Sequence, residues 1–100
     1  MEKMAKFSEI VNDEVPVLVD FFATWCGPCQ TMMPVLEQLK KELGDEVKII
    51  KVDVDKNKPL ATQFNVRGVP AFLIFKNGKQ VWRGGGVQPI SDLRHQIQNA

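Results

Sequence analysis

The chain contains two cysteines, Cys26 and Cys29, which are separated only by Gly27 and Pro28. In a helix, side chains three positions apart lie on one face, about 5 to 6 Å from each other. This separation is within the window of about 4.4 to 6.8 Å between Cα atoms that a disulfide tolerates. The spacing therefore predicts that the two sulfurs can form and break a disulfide while the rest of the fold stays in place.

The position of the pair in the chain indicates a different role for each cysteine. The pair lies between an apolar segment and a segment with helical periodicity, so both thiols are expected in the first turn of a helix. Unpaired backbone N–H groups and the positive end of the helix dipole favour an anion there by about 0.3 to 1 kcal/mol. We therefore expect Cys26 to be the nucleophile. Cys29, more buried and neutral, is expected to resolve the mixed disulfide that Cys26 forms with a substrate.

Two other uses of a closely spaced cysteine pair stay open on the sequence alone. Such a pair also begins many zinc sites, but zinc is expected to have four ligands and His95 is the only histidine in the chain. A purely structural disulfide is the second alternative, although a bridge that closes so short a loop removes little chain entropy and gives little stability. We predict no metal site.

The segments around the cysteines predict a strand, a long helix and a second strand. Residues 15–22 form an almost continuous apolar run, too short for a helix, which is typical of a strand covered on both faces. From Pro28 onward apolar residues recur with helical spacing, and Gly44 is available to end this helix. Residues 47–54 alternate apolar with polar side chains and predict the second strand. Two strands joined by a long helix require a parallel crossover connection.

The second half of the chain predicts an antiparallel hairpin between helices. Asn77 and Gly78 tolerate the positive φ angles that a two-residue type I′ turn requires, so residues 71–75 and 80–83 are expected to pair. Further helices are expected at residues 3–12, at residues 57–64 and from Pro89 onward. The resulting fold class is α/β, with a central mixed sheet of about four strands flanked by helices on both faces.

The composition is that of an ordinary globular chain and argues against several classes of partner. One hundred residues are enough for one core but not for a second, so residues 1–100 are expected to form a single domain. The net charge is +1 with both signs interspersed, which gives no electrostatic reason to expect nucleic acid or a membrane surface as a partner. The N-terminus lacks the apolar segment of a secretory signal, so a cytoplasmic location is predicted.

Residues 19–29 resemble the active-site segment of thioredoxins, and the similarity continues through residues 51–55, 67–70 and 75–78 and at Gly86. The resemblance implies a thioredoxin fold and an enzyme that reduces disulfides in cytoplasmic proteins by dithiol–disulfide exchange. It further implies a monomer that needs no cofactor of its own and is re-reduced by a flavin-dependent thioredoxin reductase. The N-terminal part is short for both the first strand and the first helix of the family, so the first edge strand is expected to be missing or vestigial.

The resemblance also assigns roles to Asp20 and Lys51. Asp20 stands in an otherwise apolar strand, where burial is expected to raise the pKa of its carboxyl group. By resemblance, Asp20 lies beneath Cys29 and is the general base that accepts the proton of this thiol, directly or through water. Lys51 resembles the family lysine that pairs with this acid. An exposed aspartate at a strand end and an ordinary surface lysine remain the alternatives.

The remaining residues carried over from the family concern substrate docking. Val69–Pro70 resembles the cis-proline site of the family, where Val69 would offer backbone hydrogen bonds to an extended peptide. Without the resemblance, a trans bond in an ordinary turn is the expectation. Trp25 either shields Cys26 and contacts the peptide or packs in the core. Gly86 either leaves surface open for a partner's backbone or forms a bulge that ends a strand.

Two further functions compete with disulfide reduction. A disulfide oxidase or isomerase shares the scaffold, but Gly27 and Pro28 between the cysteines resemble the reducing members and are expected to border the substrate site. A binding module in which the cysteines are incidental is the other alternative. Full biological activity of a Cys26→Ser, Cys29→Ser double variant would support the binding module.

Overall fold

Helices and strands follow one another along the chain in the order expected from the sequence. The computed structural model describes the backbone of residues 2–100 and the side chains of residues 6–100. Within that part, the elements in chain order are α1 (Glu2–Val11), β1 (Val17–Phe22), α2 (Gly27–Leu43), β2 (Lys48–Asp53), α3 (Lys58–Gln63), β3 (Ala71–Lys76), β4 (Lys79–Gly85) and α4 (Ile90–Gln98). A short 3-10 helix, Gly44–Glu46, connects α2 to β2. Over residues 2–100, no helix is both long and apolar enough to cross a bilayer.

The strands form one mixed sheet in the spatial order β2-β1-β3-β4. The central strand β1 is parallel to β2, with Asp20 opposite Lys51, and antiparallel to β3. Strands β3 and β4 are antiparallel to each other. Among residues 2–100 no strand lies outside β2. The prediction of a four-stranded mixed sheet without the first edge strand of the family is therefore confirmed.

Both faces of the sheet are covered by helices. Because successive side chains of β1 point to opposite faces, this strand contributes apolar side chains to the core on each face. On one face, Val19 and Phe21 share a core with Phe7 of α1 and Leu60 of α3. On the other face, Leu18 belongs to a core with side chains of α2 and α4, namely Met32, Leu36, Leu39, Leu93 and Ile97. Burial of each large apolar side chain contributes about 1.5 to 3 kcal/mol. This two-sided burial explains the continuous apolar run in the sequence.

Helix α2 begins and ends at the predicted signals. Cys26 is its N-cap and has extended backbone angles, φ −90° and ψ 110°, while Pro28 occupies the first turn, where its missing N–H is not needed. At the other end, Gly44 has φ +53° and donates its N–H to the Lys40 carbonyl. Pro34 lies inside the helix, where it removes one backbone hydrogen bond. The N-terminus of α2 therefore lies directly at the cysteine pair.

The hairpin between β3 and β4 has the predicted type of turn. Asn77 and Gly78 have φ angles of 53° and 81°, both positive, as a type I′ turn requires. The Asn77 N–H donates to the Asp13 carbonyl at 2.8 Å, and the Gly78 N–H donates to the Val11 carbonyl at 3.1 Å. These two bonds tie the turn to the end of α1.

Candidate active site

The two cysteines form a disulfide at the junction between β1 and α2. Their Cα atoms are 5.3 Å apart, inside the range predicted from the spacing. The Cys29 backbone N–H donates to the Cys26 Sγ, with an N···S distance of 3.1 Å. This N–H is one of those in the first turn that have no partner within the helix. The same donor is therefore oriented toward a negative charge on Cys26 Sγ in the reduced form.

The burial of the two cysteines differs from the prediction. Cys26 is 3% exposed and Cys29 is 4% exposed, so the expectation that Cys29 is the more buried of the two is wrong for this oxidised state. The physical reason is that the disulfide holds both sulfurs in one small cluster with Ala23, against which Phe22 and Val69 also pack. Burial alone therefore does not distinguish the nucleophile from the resolving cysteine.

Trp25 lies at the surface beside the pair and does not pack in the core. Its side chain is 71% exposed, and its Nε1–H donates to the Asp55 Oδ2 at 2.9 Å. Asp55 follows β2, and its own backbone N–H donates to the Asp53 Oδ1 at 2.9 Å. The core alternative for Trp25 is thus wrong. Asp55 is a residue of this site that the sequence analysis missed, because no local pattern connects two loops that are thirty positions apart.

Asp20 is buried beside Cys29, and the alternative of an exposed strand-end aspartate is wrong. The side chain is 2% exposed, and among the described residues its Oδ1 has no hydrogen-bond partner. Burial raises the pKa of Asp20 from 3.8 to about 6, and the charge of Lys51 opposes this rise. Asp20 and Cys29 both line a cavity of about 330 Å³, which Met33 and Lys51 also line. The carboxyl group of Asp20 therefore shares one small cavity with Cys29.

Lys51 faces this cavity from the neighbouring strand. It lies opposite Asp20 in the parallel register of β1 and β2. In the described part of the chain no ion pair joins the two side chains. The Lys51 ammonium lies 6.0 Å from the centroid of the Phe22 ring, and its side chain is exposed. The ion pair between Lys51 and Asp20 that the resemblance implies is therefore not formed, and the charge of Lys51 lowers the pKa of Asp20 from a longer distance.

The segment before β3 lies beside the disulfide. The Val69–Pro70 peptide bond is cis, as the resemblance implies. Val69 packs against the cluster that contains Cys26 and Cys29. The Gly86 N–H donates to the Pro70 carbonyl at 2.9 Å, so Gly86 also lies beside this segment. Val69, Pro70 and Gly86 line a groove of about 330 Å³.

Gly27 and Pro28 are exposed in the first turn of α2, between the two cysteines. A Cβ atom added to Gly27 would have no heavy atom within 4 Å, so the surface at this position is open. The site residues predicted from the sequence therefore all lie around the disulfide or its cavity. Among the described side chains, no group of three or more His, Cys, Asp or Glu residues could hold a metal ion.

The comparisons with known proteins agree with this geometry. The family model described as Thioredoxin matches residues 1–99. The chain belongs to the thioredoxin family. It is 43% identical over 98 residues to the thioredoxin-like protein slr0233 of Synechocystis, a match that covers 97% of this chain and 93% of that protein. It is also 42% identical over 100 residues to the chloroplastic Thioredoxin Y of Oryza sativa, covering 99% of this chain but only 60% of the rice protein.

A solved structure gives the same result for the fold. The thioredoxin of Fasciola hepatica superimposes with a TM-score of 0.87 at 39% identity, over 96% of this chain and 92% of that chain. The predicted fold class is therefore confirmed. The family together with the cysteine pair identifies the chain as a thiol–disulfide oxidoreductase of the thioredoxin type.

Proposed function

We propose that this thioredoxin-family chain reduces disulfides in protein substrates by dithiol–disulfide exchange. The observation that carries the proposal is the Cys26–Cys29 disulfide at the N-terminus of α2, beside the groove that Val69 and Gly86 line. The reduced Cys26 thiolate attacks one sulfur of the substrate disulfide, and the other substrate sulfur leaves as a thiolate. Cys29 then attacks Cys26 Sγ. The substrate sulfur that was bonded to Cys26 leaves as a thiolate, and the Cys26–Cys29 disulfide forms.

Asp20 is proposed as the general base of the second step. Cys29 attacks as a thiolate, so its proton must go to an acceptor. The buried carboxylate in the shared cavity, with its pKa raised to about 6, is a stronger base than an exposed aspartate and is still ionised at neutral pH. The charge of Lys51 limits this rise of the pKa and so supports the ionised form. The proton reaches Asp20 directly or through water in the cavity.

The residues around the disulfide are proposed to bind the substrate as an extended peptide. Val69 offers backbone hydrogen bonds, in the manner of an added strand, and Pro70 has no N–H to compete for the sulfurs. Trp25 gives an exposed apolar surface, which its bond to Asp55 orients. The absence of side-chain bulk at Gly86 leaves space for a partner's backbone. The exposed surface of Gly27 and Pro28 borders the same docking area.

The proposed partners and location follow from this chemistry. A flavin-dependent thioredoxin reductase returns electrons to the Cys26–Cys29 disulfide, and the chain itself holds no cofactor or metal. Residues 1–100 act as a single domain and a monomer, without nucleic acid or membrane as a partner. The cytoplasm is the proposed compartment because its thiols are kept reduced. Two relatives, from Oryza sativa and Arabidopsis thaliana, are named chloroplastic, so recovery of the chain in an organelle fraction would contradict this location.

The direction of the reaction is tested by the redox potential of the cysteine pair. The protein is equilibrated with defined thiol–disulfide buffers while the fluorescence of Trp25 and Trp82 reports its oxidation state. Thioredoxin itself is the reference protein for a potential of about −270 mV, and a value in that region supports a reductant. A value between about −180 and −120 mV would indicate an oxidase or isomerase. Full biological activity of the Cys26→Ser, Cys29→Ser double variant would instead support a binding module.

A further inference from the structure

The loop between α3 and β3 is bound by an arginine of the neighbouring strand β4. The Arg83 Nη1 donates to the Phe64 carbonyl, and the Arg83 Nη2 donates to the Asn65 carbonyl at 2.8 Å. The side chain of Arg83 is exposed, and none of its described contacts is with the cysteines. Arg83 therefore contacts the loop that leads to Val69 without touching the reacting sulfurs.

The two carbonyls that Arg83 binds lie at the point where α3 ends. Phe64 is the C-cap of α3, and Asn65 has φ +56°, a left-handed conformation that turns the chain away from the helix axis. Carbonyls at a helix C-terminus have no partner within the helix. A guanidinium presents several N–H donors in a planar fork, which allows one side chain to bind two neighbouring carbonyls, whereas a lysine ammonium is a point charge.

The other end of the same loop is also held by β4. The Gly86 N–H follows β4 and donates to the Pro70 carbonyl at 2.9 Å. Between these two anchors, the backbone groups of residues 67–69 make no hydrogen bond within the described part of the chain. This free segment lines the groove of about 330 Å³, and Val69 packs against the disulfide cluster. The unpaired segment therefore includes Val69, the residue that packs against the disulfide cluster.

We propose that Arg83 is a positioning residue that holds residues 67–69 in place for docking of the protein substrate. The inference rests on the proposed function. A segment without internal hydrogen bonds binds a peptide well only if its own backbone is already fixed, because otherwise binding must order it. Arg83 and the Gly86 N–H fix its two ends. A small disulfide compound that reacts at Cys26 without forming a strand beside Val69 does not require this order.

The test compares a protein substrate with a small disulfide in the same set of variants. Arg83→Gln removes the fork and the charge, and Arg83→Lys keeps the charge alone. Arg94→Gln is the matched control, because Arg94 bonds Glu42 on the surface between α4 and α2, away from the groove. We expect Arg83→Gln to raise the KM for reduction of insulin roughly tenfold, which corresponds to a loss of about 1.4 kcal/mol of binding free energy. The kcat of the variant is expected to change little. The rate of this variant with 5,5′-dithiobis(2-nitrobenzoate) is expected to stay within about twofold of the wild-type rate. Its redox potential is expected to equal that of the wild type. Arg83→Lys lies between Arg83→Gln and the wild type.

Amide hydrogen exchange provides a readout that does not depend on catalysis. The Val66 N–H donates to the Ala61 carbonyl at 2.8 Å, and the Gly86 N–H donates to the Pro70 carbonyl, so both bonds report on the anchored loop. We expect both amides to exchange faster in Arg83→Gln while the amides of β1 keep their protection. Unchanged exchange at Val66 and Gly86, or an equal loss of activity on both disulfides, would overturn the role of Arg83. A wild-type protein that reduces neither disulfide would contradict the proposed function instead, and the exchange measurement would still decide on Arg83.

Discussion

Replacement of the buried Asp20 by asparagine is expected to stabilise the protein at neutral pH. Burial raises the pKa of Asp20 from 3.8 to about 6 in the folded protein. A raised carboxyl pKa means that the folded state binds the proton more tightly than the unfolded state. The stabilisation that comes from the protonated Asp20 carboxyl group is therefore fully present below pH 3.8 and is lost as the pH rises through about 6. At pH 7.5 the ionised carboxylate reduces the free energy of unfolding by about 3 kcal/mol, at about 1.4 kcal/mol per pKa unit.

The assay is urea unfolding of the oxidised protein between pH 4 and pH 8, followed by tryptophan fluorescence. The Asp20→Asn variant is expected to be more stable than the wild type at pH 7.5, by up to about 3 kcal/mol, and similar to it at pH 4. Asp45→Asn is the matched control, because Asp45 is exposed in the 3-10 helix after α2. Parallel stability curves for Asp20→Asn and the wild type over this whole pH range would refute the reasoning. In the enzyme assay, the same variant should release product more slowly from the mixed disulfide, since Cys29 loses its proton acceptor.

Three further predictions concern the resolving cysteine, the surface tryptophan and the core. Cys29→Ser should accumulate a covalent mixed disulfide between Cys26 and a protein substrate, detected by non-reducing electrophoresis, and no accumulation would argue against Cys26 as the nucleophile. Asp55→Ala removes the acceptor of the Trp25 Nε1–H, so we expect a shifted Trp25 emission and a several-fold higher KM for protein disulfides, with an unchanged redox potential. Leu93→Ala in α4 should lower the free energy of unfolding by about 2 to 5 kcal/mol, because Leu93 is fully buried, and an unfolding midpoint equal to that of the wild type would contradict its place in the core.

The elements of the fold were predictable where local chemistry and burial indicate the same structure. The apolar run before the cysteines predicts a strand covered on both faces, and β1 is covered on both faces. The apolar run begins at residue 15, whereas β1 begins at Val17. Pro16 has no N–H for the ladder and contributes only its carbonyl, which accepts the Lys48 N–H at 3.0 Å. The turn at Asn77 was predictable because few residue pairs tolerate two positive φ angles.

The candidate site was only partly predictable, because several of its contacts connect distant parts of the chain. The disulfide between Cys26 and Cys29 is predictable from the spacing of the two cysteines alone. The cis bond before Pro70 does not, since trans is the common form even before proline and only the family resemblance indicates cis. The bond from Trp25 to Asp55 and the bonds from Arg83 to the α3–β3 loop are side-chain contacts, for which periodicity gives no signal. The equal burial of the two cysteines depends on the disulfide itself.

The topology of the sheet explains why these distant residues meet at one edge. Strands β1 and β2 are parallel, so the loops that follow them, with Cys26 and Asp55, leave the sheet at the same edge. Strand β3 is antiparallel to β1, so the loop that precedes it, with Pro70, enters at that edge as well. Strand β4 is antiparallel to β3 and therefore brings Gly86 to the same place. Because Arg83 lies near this end of β4, its side chain can reach the α3–β3 loop from the neighbouring strand. The strand order that brings the cysteine pair and the docking segment together thus also provides the residue that we propose to hold the segment in position.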